Sequence, residues 1–467
     1  MKKLIAMLLA LVMVLSLAAC GGSESAPAAT EAPAPAPAPA PETKETEPAP
    51  KSELGTKPVE IVFWHCASDD AGPLMDKYIA DFNANNEYQI TVKPVYQGQY
   101  SDATKLLSTM ISGENYAELP DVMQMDATGK VTFFDSGKAF FIEDAKAAFP
   151  DTTKEDKYMA AAMGNWNYSG KQLGLPFATS TTITYANMDL LKQAGWDKAP
   201  DTFADVIKLQ ADMKAAGMTQ IAYKALPNTP TLANWIGQLG SYVVDQKNGS
   251  EGAATKLEMV DSGALETFLT EWKAMYDAGM PVHEAGSSDD FIAGNVVLYT
   301  SSSSSISKTI AKINGAFEMG VGPYLRVNAD ASYGATVSGS CMVMFDSEDA
   351  LKKEAAWVFT QYLASADIQA DFGAATGYTP AHKDALESDV YKKLLADQPA
   401  FTVAFDQLSK TPAEMRSVTV GPSKEFYYAI QECISDMLVN GQTVEETVDI
   451  MDEELNGLLY QYLQNQG

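Results

Sequence analysis

Arginine is the charged residue that this chain almost lacks, since only Arg326 and Arg416 occur among its 467 residues. Lysine and arginine together number 33 against 61 aspartate and glutamate residues, and the formal net charge is −28. Nucleic-acid binding requires a basic face toward the phosphate backbone, so this composition excludes it as the main function. The scarcity of arginine also restricts phosphate binding, because a bidentate arginine is a common way to hold that group.

Sequence signatures of metal and cofactor chemistry are absent as well. The three histidines, His65, His283 and His382, form no HExxH motif and no histidine–cysteine cluster with metal-ligand spacing. The chain contains no GxSxG, GxGxxG or phosphate-loop motif. We therefore expect no cofactor, no metal site and no catalytic residues. A glycosidase stays open, because its two separated carboxylates cannot be recognised in a chain with so many acidic residues.

Cysteine is rare too, with four in the chain. Cys66, Cys341 and Cys433 lie far apart and show neither a CxxC spacing nor a disulfide framework. We predict that each is a buried, small apolar residue, with one disulfide between two of them as the alternative. Cys20 has a different setting and is treated with the N-terminus.

The first 20 residues have the pattern of a lipoprotein signal peptide. Lys2 and Lys3 precede an apolar run over residues 4–17, which is short for a membrane-spanning helix. The run continues into Leu-Ala-Ala and then Cys20. We predict that the Cys20 thiol is diacylated, with palmitate-type chains, and becomes the mature N-terminus. A plain signal peptide or a short membrane anchor is the alternative.

Residues 21–57 are predicted to form an extended tether, because they alternate alanine and proline and offer little apolar surface to bury. From residue 58 onward the chain looks globular, and its length favours two lobes over one core. No later apolar run is long enough for a membrane-spanning helix. Short apolar strands alternate with helical patterns, which predicts an α/β fold with a largely parallel sheet.

Polar and aromatic residues follow several of the predicted strands. Trp64 to Asp69, Tyr96 to Tyr100, Asp126 and the serines of residues 301–305 all occupy such positions. Ligands of open α/β sheets bind outside the carboxyl ends of the strands. Aromatic faces suit the C–H surfaces of sugars, whereas hydroxyls and carboxylates suit their OH groups. The serines precede a predicted helix, whose free N–H groups are an alternative site for an anion.

Several motifs then resemble one family, the family 1 extracellular solute-binding proteins, which are carbohydrate-type receptors of ABC importers. They are GLPFATST from residue 174, YANMDLLKQAG from residue 185, FIAGN from residue 291 and TGYTP from residue 376. Their order and spacing cover about residues 58–463. The resemblance implies a two-lobed fold of the type II periplasmic-binding kind with a ligand cleft between the lobes. It places lobe one at residues 58–178 and 324–370, and lobe two at 179–323 and 371–467.

The resemblance also implies ligand-binding residues. The glycerol-3-phosphate-binding branch of the family aligns its contact positions with Tyr100, Asp126, Thr179 or Ser180, Trp235, Ser302 or Ser303, Gly339 and Tyr378. The maltose-binding branch points to Asp69, and Trp64 joins the set as the aromatic residue after the first strand. We predict that Trp235 and Tyr378 stack against the ligand, and that Trp272 and Trp357 pack in the core.

One departure from the phosphate-binding branch concerns its arginine near the start of the penultimate helix. The corresponding stretch, residues 417–423, contains none, and Arg416 just upstream is the one candidate. We therefore expect a neutral sugar or oligosaccharide as the ligand, with glycerol 3-phosphate or a related phosphodiester as the alternative. A lipid-anchored glycoside hydrolase, or a sensor or adhesin on the same scaffold, are alternatives of other classes.

The resemblance further implies partners and a location. We expect a monomer that is held by Cys20 to the outer face of the cell membrane and that delivers its ligand to the permease subunits of an ABC transporter. Lipid anchoring of such a receptor suits a cell without an enclosed periplasm, which indicates a Gram-positive source. Anchoring also raises the effective concentration of the receptor near its permease.

Overall fold

The computed structural model describes residues 52–155, 157–412 and 415–466. Cys20, the predicted signal peptide and the predicted tether up to residue 51 lie outside the described residues. The end of the predicted tether contacts the folded region: Ser52 Oγ donates to Glu354 Oε2 at 2.7 Å, and Gln89 Nε2 donates to the Gly55 carbonyl at 2.7 Å. The described fold therefore begins before residue 58.

Twelve strands occur in the described residues. They are β1 Val59–His65, β2 Ile90–Tyr96, β3 Val122–Asp126, β4 Ala139–Phe140, β5 Asn167–Tyr168, β6 Lys171–Gln172, β7 Gly174–Asn187, β8 Ile221–Tyr223, β9 Val296–Ser302, β10 Met319–Gly322, β11 Val337–Phe345 and β12 Thr379–Pro380. Ten of them join one sheet with the main order β2-β1-β3-β11-β7-β9-β8, while β5 and β6 form a separate hairpin. Strand β4 pairs with β11, and β10 and β12 pair with β7.

The sheet is mixed, so the prediction of a largely parallel sheet is wrong. Strand β1 is parallel to β2 and β3, and β8 is parallel to β9. The central strands β11 and β7 run antiparallel to their neighbours. The alternation of strands and helices describes only neighbours along the chain. Strand β11 returns from far along the sequence and inserts between β3 and β7, which a local pattern does not reveal.

Strand β7 joins the two halves of the sheet. Its first part pairs with β11 up to Thr181, and its second part pairs with β9 from Thr182 onward. Nearly every side chain of this strand is buried, as expected for a strand covered on both faces. One half of the sheet thus contains β1 to β4 with β11, and the other contains β8 to β10, with β7 common to both.

The helices surround this sheet. They are α1 Ala71–Asn85, α2 Tyr100–Ser112, α3 Lys130–Asp135, α4 Ile142–Ala148, α5 Ala160–Asn165, α6 Met188–Gln193, α7 Phe203–Ala215, α8 Thr229–Gln238, α9 Asp245–Gly249, α10 Glu258–Asp261, α11 Ala264–Asp277, α12 Ser288–Ile292, α13 Ile306–Ile313, α14 Ala350–Leu363, α15 Ala366–Thr376, α16 Asp389–Asp397, α17 Ala400–Lys410, α18 Ser423–Asn440 and α19 Val444–Gln466. No helix among the described residues combines the length and apolar composition that crossing a membrane requires.

Local capping chemistry explains where several helices begin. At the start of α7, the sequence pattern of Thr202 followed by Asp205 predicts a capping box, and the structure confirms it: Thr202 Oγ1 accepts from the Asp205 amide and the Asp205 carboxylate accepts from the Thr202 amide. The pattern of Thr443 followed by Glu446 predicts a second box before α19, and this box is present as well. The sequence also predicts that Ser347 caps α14, which is wrong: Asp349 accepts from the amides of Leu351 and Lys352, and α14 begins at Ala350.

The described residues form several buried apolar clusters on the faces of the sheet. Trp272 and Trp357 are fully buried, which confirms their predicted packing role. Cys66, Cys341 and Cys433 are buried free thiols, as predicted, and the alternative of a disulfide between two of them is not realised. Each half of the sheet has its own large cluster, which leaves the line between the halves available for a site.

Candidate functional site

A pocket opens at the carboxyl ends of β1, β2 and β9, where the two halves of the sheet meet. Its empty volume, with open solvent included, is about 870 Å³. One half supplies residues 66–71, Gln99, Tyr100 and Gln124, and β7 supplies Ala178. The other side is lined by Ser304, Ser305, Lys308, Phe372, Thr376 and Tyr378.

The loop after β1 forms one wall of the pocket. Its turn is closed by the amides of Ala71 and Gly72, which both donate to the Ser68 carbonyl. Asp69 has a φ of 48°, a left-handed conformation that aspartate adopts more readily than most residues. The turn leaves the carboxylates of Asp69 and Asp70 exposed at the pocket. This wall therefore offers hydrogen-bond acceptors.

Gln124 forms the floor of the pocket and is 2% exposed. Its Oε1 accepts from the Cys66 amide at 3.1 Å, and its Nε2 donates to Tyr100 Oη at 2.9 Å and to Ser340 Oγ at 3.1 Å. One side chain therefore connects the loop after β1, the start of α2 and strand β11. Buried amides are stable in a protein interior when all their hydrogen-bonding groups are paired in this way.

The opposite wall carries an aromatic pair and a serine turn. Tyr378 lies 5.9 Å from Phe372 between ring centroids, with the planes tilted by 31°. Gly377 has a φ of 86°, and a Cβ at this position would lie 3.2 Å from the Ser304 carbonyl, so the close approach of these segments requires glycine. Burial raises the pKa of Tyr378, while its hydrogen bond with Ser304 acts to lower it. Tyr378 is therefore a neutral phenol that faces the pocket.

The side chains of the pocket suit binding better than catalysis. Burial raises the pKa of the Cys66 thiol to about 12, with Asp126 and Asp102 acting in the same direction, so this thiol is not a nucleophile at neutral pH. Burial also lowers the pKa of His65, which precedes the loop and stacks on Phe63 at 5.7 Å. Among the described residues, no three or more metal-ligating side chains cluster closely enough to hold an ion.

The sequence matches the family of bacterial extracellular solute-binding proteins over residues 77–401. The chain belongs to this family. Among curated relatives, the sn-glycerol-3-phosphate-binding periplasmic protein UgpB of Escherichia coli O1:K1 is 25% identical over 413 residues, which are 86% of this chain and 93% of that protein. These relatives are substrate-binding proteins and not enzymes.

Solved structures share the fold of this solute-binding protein. The sugar-binding protein MalE from Xanthomonas citri has a TM-score of 0.70 at 19% identity, and covers 88% of this chain and 100% of its own. UgpB from Mycobacterium tuberculosis, solved in complex with glycerophosphocholine, has a TM-score of 0.67 at 18% identity, with coverage of 87% and 100%. The predicted α/β fold with two lobes of the periplasmic-binding-protein kind is thereby confirmed.

Three of the residues predicted to bind ligand line the pocket of this solute-binding protein: Asp69, Tyr100 and Tyr378. They come from the loop after β1, the start of α2 and the segment before β12. These segments are distant along the chain, and the fold brings them to one pocket.

A second group of predicted residues borders the pocket and is used in the scaffold. Thr179 and Ser180 are buried on β7, where Thr179 pairs with both Gly339 and Thr379. Gly339 has a φ of 115°, and a Cβ there would lie 1.8 Å from the Ala178 carbonyl. Any side chain at this position would therefore separate β11 from β7, so the glycine is explained by the contact between the two strands.

The two predicted serines are also engaged within the protein. Ser303 is fully buried, and its Oγ accepts from the Thr181 amide at 3.2 Å. Ser302 Oγ accepts from the Ser304 amide at 3.3 Å, and its carbonyl accepts from Tyr185 Oη at 2.6 Å. The serines that line the pocket are the next two, Ser304 and Ser305.

Trp235 lies in the core and not at the pocket. It is 1% exposed, with Phe268 and Tyr324 stacked near its ring at 5.3 and 5.2 Å. Its indole N–H donates to the Leu325 carbonyl at 3.1 Å. Because its ring and its polar atom already have partners, Trp235 presents no surface to a ligand in this structure, contrary to the stacking role predicted for it.

Trp64 and Asp126 are likewise outside the pocket lining. Trp64 is 5% exposed and packs in an apolar cluster behind β1. Asp126 begins a short helical turn, where it accepts from the Thr128 amide at 3.1 Å and from Thr128 Oγ1 at 2.6 Å. The sequence placed both residues correctly at strand ends, but the direction of each side chain depends on packing.

Arg416 lines a different crevice, together with Asn248, Tyr242 and Met415. Its Nη1 donates to Ser250 Oγ at 3.0 Å. Close to it in sequence, Ser417 Oγ lies 3.5 Å from Asn165 Oδ1, which also accepts from the buried Lys130 ammonium at 3.3 Å. Burial lowers the pKa of Lys130 to about 8. This group is rich in hydrogen-bond donors, but it is separate from the pocket lining.

Sequence reasoning missed several residues that line the pocket. They are Gln124, Lys308 and Phe372. Gln124 had a recognisable signal, because it is a polar residue inside the otherwise apolar strand β3. Phe372 had none, since it lies on α15 with an ordinary helical pattern and reaches the pocket only through the packing of that helix. Ser68 and Thr376 also line the pocket, and each belongs to a stretch that the sequence singled out without being predicted as a binding residue.

Proposed function

We propose that this solute-binding protein captures a neutral sugar or oligosaccharide in the pocket between the halves of its sheet and delivers it to the permease subunits of an ABC importer. The observation that carries the proposal is the chemistry of the lining. Two carboxylates, two glutamine amides, several hydroxyls and an aromatic pair surround the space, and Lys308 is the one lysine or arginine among the described lining residues. Such a set suits a polyhydroxylated ligand with apolar ring faces.

The solved relatives support this choice of ligand class. One related structure is a sugar-binding MalE, and another is a cyclic alpha-maltosyl-1,6-maltose binding protein from Arthrobacter globiformis. In the pocket, the acidic loop with Asp69 would accept hydrogen bonds from sugar hydroxyls. Tyr378 on the opposite wall would cover a ring face, and Tyr100 would reach the ligand from the floor.

A second candidate ligand is glycerol 3-phosphate or a phosphodiester of glycerol. The curated UgpB relatives favour it, as does the donor-rich group formed by Arg416, Lys130, Asn165 and Ser417. Arg416 would then have to turn toward the ligand from its contact with Ser250. We rank this candidate second because Arg416 does not line the pocket and the lining holds no arginine.

Thermal-shift measurements with a defined panel test the proposal. The purified protein is mixed in turn with maltose, maltotriose, glycerol 3-phosphate and glycerophosphocholine. A compound that binds the folded protein increases its free energy of unfolding by RT ln(1 + [L]/Kd) and so raises the melting temperature. We expect a shift with at least one sugar. The variant Arg416→Gln should leave that shift unchanged, whereas Tyr378→Ala should reduce it. A shift only with the phosphate compounds, abolished by Arg416→Gln, would reverse the ranking.

We further propose that a lipid on Cys20 holds the mature, monomeric protein to the outer face of the membrane of a Gram-positive cell, as the pattern before Cys20 indicates. Metabolic labelling with a palmitate analogue should mark the wild-type protein. The variant Cys20→Ser should lose the label and leave the membrane fraction. Retention of that variant in the membrane fraction would favour an uncleaved N-terminal anchor instead.

A further inference from the structure

The orientation of the Gln124 side-chain amide is determined by its partners. A backbone N–H can only donate a hydrogen bond, so the atom of Gln124 that faces the Cys66 amide at 3.1 Å must be the acceptor Oε1. Its Nε2 therefore faces Tyr100 Oη at 2.9 Å and Ser340 Oγ at 3.1 Å, and donates to both. Reversing this amide would place an N–H against another N–H.

This orientation determines what the Tyr100 hydroxyl can do. Its oxygen accepts from Gln124 Nε2, so its own hydrogen is left for another acceptor. Burial raises the pKa of Tyr100, so the phenol keeps its hydrogen at neutral pH. Because the Tyr100 oxygen accepts from Gln124 Nε2, this hydrogen is available to an acceptor in the pocket that Tyr100 lines.

We propose that Gln124 is a specificity-determining positioning residue, which orients Tyr100 as a hydrogen-bond donor and so selects ligands that present an acceptor oxygen at the pocket floor. The selected atom is a sugar hydroxyl, ring or glycosidic oxygen, or in the second candidate ligand an oxygen of a phosphate ester. A ligand ammonium group would be disfavoured at this position, because its N–H would face the hydrogen of Tyr100. This inference rests on the proposed function for its ligand, but not for its geometry.

Gln124→Glu is the sharpest variant, because it conserves shape and reverses polarity. The Cys66 amide keeps an acceptor, while the oxygen that replaces Nε2 now accepts from Tyr100 and Ser340. The hydrogen of Tyr100 then points away from the ligand. We expect ligand affinity to fall by about tenfold or more at about pH 8, an effect typical of an unpaired polar contact in a buried site.

The pH dependence of the ligand affinity of Gln124→Glu distinguishes an orienting role of Gln124 from a purely structural one. Burial raises the pKa of an introduced carboxyl, whereas hydrogen bonds donated to it by the Cys66 amide, Tyr100 and Ser340 act to lower it, so this pKa is measured by NMR. When that carboxyl is protonated, it donates to Tyr100 as the amide does. The affinity of Gln124→Glu should therefore approach that of the wild type as the pH falls below the measured pKa. An affinity loss that is the same on both sides of the measured pKa would contradict the proposal.

A double-mutant cycle tests the coupling to Tyr100. Tyr100→Phe removes the donor, so adding Gln124→Glu to it should cost little further affinity. Gln172→Glu is the matched control, because Gln172 is also buried and donates to the Gly174 carbonyl at 3.0 Å away from the pocket lining. The control should lower the melting temperature without changing affinity. Additive losses in the double variant would overturn the proposal.

A measurement without ligand keeps this inference separate from the proposed function. In protein labelled with ¹⁵N-glutamine, the two Nε2 protons of Gln124 give a pair of signals that is identified by its absence in Gln124→Glu. Tyr100→Phe should shift one signal of the pair, and Ser340→Ala the other. Unchanged signals in both variants would show that Nε2 does not face these hydroxyls, whatever the ligand is. The affinity arms use maltose, or glycerol 3-phosphate if only that compound raises the melting temperature.

Discussion

Two aromatic groups of this solute-binding protein differ in what surrounds them. The group around Trp235 comprises Phe203, Phe268, Trp272 and Tyr324, and all five side chains are at most 1% exposed. The group at the pocket pairs Tyr378 with Phe372 and leaves Tyr378 half-buried. The first group is covered by its own neighbours, whereas Tyr378 is only half-buried and lines the pocket.

An aromatic side chain offers a surface to a ligand only where its neighbours leave part of that surface uncovered. Trp235 has stacked partners and a carbonyl for its N–H, so burial has already removed its surface from water. Tyr100 and Tyr378 retain contact with the pocket. Substitutions can test whether enclosed aromatic residues and those that line the pocket differ in this way, and by how much.

The largest effect is expected from Trp235→Ala. A buried tryptophan replaced by alanine leaves a cavity, so we expect the free energy of unfolding to fall by about 3–5 kcal/mol. Urea unfolding measures this loss, and calorimetry below the unfolding range should find ligand affinity nearly unchanged. Trp235→Phe, which refills part of the cavity, serves as the control and should lose less. Normal stability together with lost affinity would instead make Trp235 a ligand contact.

Lys130 shows what burial does to a charged side chain rather than an aromatic one. Burial lowers its pKa to about 8, below the ordinary value of 10.5. Between these values the unfolded chain holds a proton that the folded chain has released, so the free energy of unfolding contributed by this residue rises with pH. The rise is on the order of 2 kcal/mol between about pH 7.5 and about pH 9.5.

Urea unfolding at about pH 7.5 and about pH 9.5 measures this rise, which Lys130→Met should lack. Lys308→Met is the matched control, since Lys308 is exposed and should leave the rise intact. If the free energy of unfolding depends on pH in the same way in the wild type and in Lys130→Met, Lys130 stays charged in the folded protein.

Tyr378→Ala should show the reverse of the Trp235 result. Loss of the ring removes a stacking surface, and we expect affinity for the bound sugar to fall by about tenfold, or roughly 1.4 kcal/mol. Calorimetric titration measures the fall. Tyr378→Phe retains the ring, so most of the affinity should remain. If Tyr378→Ala instead unfolds at a much lower temperature with unchanged affinity, the two aromatic groups do not differ as proposed.

The smallest effect is expected at the acidic loop. Asp69→Asn keeps the size of the side chain, and asparagine tolerates the left-handed backbone at this position. Replacing a charged acceptor by a neutral one should weaken sugar binding by a few-fold, or about 0.5–1 kcal/mol, without changing stability. Titration of Asp69→Asn beside Asp70→Asn identifies which carboxylate faces the ligand. Stronger binding in either variant would point to an anionic ligand.

Local patterns predicted much of the fold. The apolar run at β1, the capping boxes at Thr202 and Thr443, and the long strand β11 depend on neighbouring residues, and all are present. The antiparallel placement of β11 and the length of β7 depend on residues far apart in sequence. Hydrophobic period alone does not specify which strand lies beside which.

The candidate site was also predictable only in part, because position along the chain is local but the direction of a side chain is not. Asp69, Tyr100 and Tyr378 follow strand ends or a glycine turn and line the pocket. Trp64 and Asp126 share such positions but turn into the core or into a local cap, and Trp235, inside α8, is enclosed by its neighbours. Position at a strand end limits which residues can reach a site, but the rotamer and the neighbouring helices decide which do.

The sequence alone determined the family, the acidic and arginine-poor character of the chain, and the order of its strands and helices. These follow from composition, motif order and local periodicity, which are properties of the linear chain. Only the tertiary structure decided that Gln124 connects Cys66, Tyr100 and Ser340, that Trp235 is enclosed, and that Arg416 lies apart from the pocket. These placements depend on contacts between segments distant in sequence, which local patterns do not specify and which form only when the chain folds.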